Sequence, residues 1–274
     1  MKANSRRRVL ISSLAMLLVA IVALGTATYA WFTSSTVATA NGINVKTIQS
    51  SELQISSATS GWDTTVDYGI SNKVLLPVST ANFSNWFTAS AAEKTAMNAE
   101  PGTPAAVTKA DTYYFVDQLN VRNNGTADIE NIEITFNVSN DYLRVALVPA
   151  VAKGEGKAAV SGTDFTKCVF DNAGTLYKAA SGIKMETFGE GEDAKELGVF
   201  TTTDITPSNT GKITIEKLAG KAVGAETGEA VYYNLYVWFE GQDAQCIDSN
   251  AGAVIEDIVF TVSGTTADQI TTQG

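Results

Sequence analysis

Between Tyr113 and Ser139 the chain reads YYFVDQLNVRNNGTADIENIEITFNVS, two long runs of alternating apolar and polar residues about Asn123-Asn124-Gly125. A period of two places successive side chains on opposite faces of an extended backbone, so each run can bury one face only as a β-strand. Phe115, Leu119 and Val121 share a face of the first run, and Ile132, Ile134 and Phe136 share one of the second. The Asn-Gly pair predicts a reversal with positive φ, either an antiparallel hairpin or a turn that carries the chain across a sandwich.

The same vocabulary fills most of the chain. INVKTI (43–48) and ELQISS (52–57) alternate, while KVLLPV (73–78) is nearly continuously apolar and its Pro77 marks an edge or a strand end. YLRVALVPA (142–150), KCVFD (167–171), LGVFTTT (197–203) and KITIEKL (212–218) extend the series. In VYYNLYVWFEG (231–241), Tyr233, Leu235, Val237 and Phe239 alternate with Tyr232, Asn234, Tyr236 and Trp238. Both faces are rich in aromatics, which predicts a central strand. VIEDIVFTVSG (254–264) closes the list.

These runs predict an all-β fold, an antiparallel β-sandwich, formed as a single domain over residues 43–264 and followed by a polar tail, 265–274. Residues 79–111 break the rhythm. There SNWFTASAAEKTAMNAE, after a Ser84/Asn85 cap, predicts a short helix inserted at one edge, the alternative being a flexible loop. The acidic, glycine-broken GEGEDAKE (189–196) predicts an exposed loop.

The N-terminus predicts export. Lys2, Arg6, Arg7 and Arg8 precede the apolar run Val9–Leu24, and small residues follow, with Thr28 and Ala30 before a cut between Ala30 and Trp31. Sixteen helical residues span about 24 Å, short of the roughly 30 Å hydrocarbon core of a bilayer. Extended to Phe32 the run is long enough for an uncleaved anchor, which stays the alternative. Removing residues 1–30 takes away four basic side chains and no acidic one, leaving 15 Lys and Arg against 29 Asp and Glu, a net charge of −14. Nucleic acid and anionic lipid are therefore poor partners, and the membrane enters only through the signal segment.

The chain contains no histidine, which excludes His-based triads and every His-containing zinc site. It contains no phosphate-binding glycine loop and no C-x-x-C pair. The acidic stretches Glu190–Glu196 and Glu240–Asn250 offer oxygen ligands, but neither follows the spacing of a calcium loop. The expectation is a non-enzyme with no cofactor, no catalytic residue and no metal site. Cys168 and Cys246 either pair, at a gain of about 4 kcal/mol on the chain-entropy model, or remain buried thiols.

Two stretches together resemble the TasA/camelysin (CalY)-like secreted proteins of Gram-positive bacteria: GTATYAWFTSSTV (25–37) and LNVRNNGTADIENIEITFNV (119–138). VWFEGQDAQC (237–246) is similar to a segment of related exported proteins. The resemblance covers about a quarter of the chain. It implies processing by a SipW-type signal peptidase, a jelly-roll-like sandwich, and a secreted protein that assembles with itself into fibres or biofilm matrix at the cell surface. The metallopeptidase activity described for some camelysin-like proteins is not carried over, since no zinc-binding set is present.

A cut after Ala30 would expose WFTSSTVATANGINV, uncharged before Lys46. Such a neutral, β-prone segment suits addition to a sheet edge of another copy. Trp31–Ala40 is thus a candidate donor strand, with Trp31 or Phe32 as anchor and Val37 within it. It could equally be the first strand of its own sandwich or a disordered leader. A surface adhesin or carbohydrate-binding module, tethered if the N-terminal helix is uncleaved, is the competing function, with exposed Tyr and Trp side chains as its platform.

Overall fold

The computed structural model describes residues 38–40, 43–48, 52–69, 73–89, 102–138, 141–191, 194–209, 211–244, 246, 254–255 and 258–266. In chain order the described strands begin with β1 (Ala38–Ala40), β2 (Ile43–Ile48), β3 (Leu53–Ser56), β4 (Thr65–Asp67), β5 (Lys73–Leu75), β6 (Phe87–Thr88) and β7 (Ala105–Ala106). The short helix α1 (Ala110–Tyr113) leads into β8 (Tyr114–Asn123), β9 (Ile129–Phe136), β10 (Leu143–Pro149), β11 (Val169–Phe170) and β12 (Tyr177–Phe188). The chain continues through β13 (Lys195–Ile205), β14 (Lys212–Leu218), β15 (Ala230–Phe239), β16 (Val254–Ile255) and β17 (Ile258–Thr266).

Two five-stranded sheets form the sandwich, in the orders β11-β10-β15-β8-β3 and β14-β9-β17-β2-β4. The pairing is antiparallel except between β17 and β2, which run parallel from Ile258 opposite Ile43 to Ser263 opposite Ile48. β15 is the central strand of the first sheet, as its two apolar faces require. Its inward residues Leu235, Val237 and Phe239 join Leu119 and Val121 of β8, Ile132 and Ile134 of β9, and Phe260 and Val262 of β17 in the core between the sheets. Full burial of a side chain of this size contributes about 1.5–3 kcal/mol, so this layer is the main source of stability.

Strands β8 and β9 do not pair with each other, because the Asn123-Asn124-Gly125 turn crosses from one sheet to the other. The expected positive φ is absent from both Asn124 and Gly125. The bend is held by Asn123 instead. Its side-chain amide donates to the carbonyls of Ala127 (2.8 Å) and Leu218 (3.0 Å), while its Oδ1 accepts from the Gly125 amide (2.8 Å).

Within the insertion the expected cap is not where the sequence put it. Ser84 and Asn85 cap no helix: both of their amides donate to the Asn82 side chain, and the chain then enters β6. The described helix is α1, at the far end of the insertion; residues 90–101 lie outside the described set. The described part of the segment, with its flanks, lays Val78, Phe83, Trp86 and Tyr113 on the outer face of the first sheet, against Ala146, Val148 and Trp238. Trp86 stacks on Tyr114 at 3.9 Å and meets Trp238 edge-on at 5.5 Å. This second core explains why β15 is apolar on both sides. Among the described residues β12 and β13 pair only with each other, as a long ribbon.

Candidate functional site

The N-terminal assembly segment is only partly described: Ala30, Trp31, Phe32 and Val37 lie outside the described residues, as does the whole leader. Its last three residues, Ala38–Ala40, form β1, which pairs antiparallel with β5 and parallel with β16 in a separate three-stranded sheet. That end of the segment is therefore a strand of its own chain. Three residues supply few ladder hydrogen bonds, so the pairing is short.

The densest polar arrangement is buried beneath the insertion. Arg144, on the outward face of β10, is fully buried. Its guanidinium pairs with Asp243 and lies 3.7 Å from Asp171, donates to the carbonyls of Asp141 (2.7 Å) and Leu143 (3.1 Å), and covers the Tyr177 ring at 4.7 Å. Glu240, also fully buried, accepts hydrogen bonds from the Trp238 indole (2.9 Å) and the Gln242 amide (2.8 Å). Burial pushes its carboxyl up to about 7, against the opposing pull of bonds from Ser79, Trp238 and Gln242 and of the Arg144 charge. One guanidinium beside three carboxylates leaves an excess of two negative charges, which protonation of Glu240 lowers to one. Burial likewise raises the Tyr177 phenol well above its usual range.

This cluster ties four segments together: β10, the Asp171 turn, the root of β12, and the turn after β15. The described start of the acidic stretch, Glu240–Ala244, is thus a structural turn. Among the described residues no group of three Cys, Asp or Glu side chains converges as metal ligands would.

The cysteines do not pair. Cys168 lies in the outer core beside Tyr177 and Trp238, and Cys246 in the inner core. Burial pushes the Cys168 thiol up to about 11, the behaviour of a small apolar side chain with little thiolate character.

The aromatic platform expected of an adhesin is largely absent from β15: Trp238 is buried, and Tyr236 stacks on Phe83 at 5.0 Å. A cleft of about 290 Å³ remains on the outer face beside Tyr236, lined by Val116, Asp117, Gln118, Lys157 and Asn234. Its amides are already engaged. Gln118 donates to Ala152 O and Asn234 Oδ1 and accepts from the Gly154 amide, and Asn234 donates to Lys157 O, pinning the 150–157 loop. Past that loop, the half-buried Trp62 carries Arg122 at 4.6 Å and Lys153 at 5.3 Å from its ring centre.

No single-sequence signal announced the buried cluster, whose members lie on separate segments, or the Trp62 site. Compared with protein-family models, curated proteins and solved structures, the chain shows no significant match to any.

Proposed function

We propose that the chain is a secreted structural protein that assembles with itself into extracellular fibres or matrix at the cell surface of a Gram-positive bacterium, after removal of residues 1–30 by a SipW-type peptidase. The observation that carries this reading is the position of β1. It is a three-residue strand immediately downstream of an uncharged segment, held in a small sheet of its own. Exchange of such a strand for that of a neighbour preserves every hydrogen bond while linking copies. The sandwich, whose buried polar cluster is absorbed in its own architecture, fits a structural part better than a catalyst.

The test is assembly of the secreted protein, followed by light scattering and electron microscopy, with Val37→Pro as the variant. Proline removes a backbone donor and cannot be accommodated within a paired strand. The variant is expected to stay folded and to form no fibres, and unchanged fibres would refute the reading. A start at Trp31 in the mass of the recovered protein checks the processing step.

The cleft beside Tyr236 and the Trp62 site favour a second reading, a surface adhesin that binds carbohydrate. Trp62→Ala would abolish glycan-array binding if this were so, while a chain that binds no glycan and grows with concentration supports assembly.

A further inference from the structure

The β12–β13 ribbon is rooted in the protein and then leaves it. Tyr177, Ala179, Ala180 and Ile205 are buried, and the Ala180 amide donates to Ser79 Oγ at 2.7 Å. Past the register shift between Ala180 and Gly182, β12 emerges: Met185 is 47% and Phe188 43% exposed. Neither edge of the ribbon carries another strand among the described residues. A two-stranded ribbon is marginal in water on its own, and an exposed edge with apolar side chains is a template for pairing.

We propose that the outer edge of β12, Ser181–Phe188, is an interface on which a second copy of this chain docks its own β12, in an antiparallel register about a two-fold axis at Met185. The argument is that this edge is complementary to itself. A two-fold axis normal to the sheet places residue i opposite residue 370 − i of the other copy, which keeps matching faces together. Lys184 then lies opposite Glu186 twice, once on each side of the axis. Met185 faces Met185, and Ile183 faces Thr187. Phe188 faces Gly182, where a ring can cover the glycine and the Thr201 hydroxyl that lies beside it, a pairing that stabilises edge glycines.

Charges usually guard an edge by repelling a second copy. Here the two signs, two residues apart on one face, attract it instead. In the isolated chain Lys184 and Glu186 bridge each other, so the charges are already aligned on that face. The edge of β13 lacks this property: the same operation about Phe200 would set Glu196 opposite Asp204. The result is a continuous four-stranded sheet, β13-β12-β12-β13, with closed two-fold symmetry.

This contact rests on the self-assembly reading but uses residues remote in sequence from Val37, so the two fail separately. Sedimentation of the secreted protein carrying Val37→Pro reads pairing without fibre growth through the N-terminus. Lys184→Glu sets like charges opposite each other twice and is expected to weaken pairing about tenfold. The double swap Lys184→Glu with Glu186→Lys restores the alternation and is expected to restore pairing to within about twofold. Met185→Cys, on the axis, is expected to link copies in pairs on mild oxidation. Ile183→Cys, displaced from its counterpart by four residues, is expected not to; Cys168 and Cys246 are buried and do not compete. The proposal is overturned by pairing indifferent to Lys184→Glu, by a double swap that fails to restore it, by a monomer at all concentrations, or by equal linkage through positions 183 and 185.

Discussion

Glu240 makes the stability of this protein depend on pH in an unusual direction for a carboxylate. Its folded form holds a proton up to about pH 7, whereas the unfolded chain releases it near the ordinary value of 4.5. Between those values the folded state binds more protons, so the stabilisation is fully present below about pH 4.5 and is lost as pH rises through 7, by up to about 3 kcal/mol. Glu240→Gln keeps an acceptor for the Trp238 indole and removes the titration. Denaturant midpoints between pH 5 and 8 should fall with rising pH in the parent and lose most of that slope in the variant. Arg144→Met is expected to cost about 3–5 kcal/mol at pH 7, because it strands Asp171 and Asp243 without their buried cation. Thermal unfolding of the variant, with an unchanged circular dichroism spectrum below the transition, measures it.

At the level of elements, alternation proved the reliable guide. INVKTI is β2 residue for residue, and the aromatic run at 231–241 lies at the centre of its sheet. The failures are equally physical. β12 went unread because Ala179, Ala180, Ser181 and Gly182 carry weak strand propensity and its apolar residues fall on both faces of an exposed ribbon. The cap expected at Ser84 and Asn85 is replaced by a turn into β6, because it sets Phe83 and Trp86 against Trp238. Phe83 even adopts a φ of +57°, with its amide donating to Thr80 Oγ1 at 3.0 Å. The sheet-crossing turn shows a residue in a different role from its motif: Asn123 acts through its side chain. Asn123→Ala would remove all three of these hydrogen bonds, an expected loss of about 2–4 kcal/mol in denaturant titration. Convergence of Arg144, Asp171, Glu240 and Asp243 was illegible for a simpler reason, since pairing between segments up to 99 residues apart leaves no trace in local pattern.

For the molecule as a whole, the order of strands in the sheets matters more than their number. β15 is the middle strand of one sheet and β17 the middle strand of the other, and both lie in the last 45 residues of the chain. The two halves of the first sheet wait for β15 to join them: β10, paired with β11, and β8, paired with β3, flank it and do not touch each other. β9 and β2 wait for β17 in the same way. A chain cut after Gly228 therefore lacks both centres, and is expected to show no cooperative unfolding transition in calorimetry. Pairings this distant close slowly. On the proposed export of the chain, threaded through a membrane from its first residue onward, that ordering acts as a clock: the halves of neither sheet can be joined until almost all of the chain has passed through.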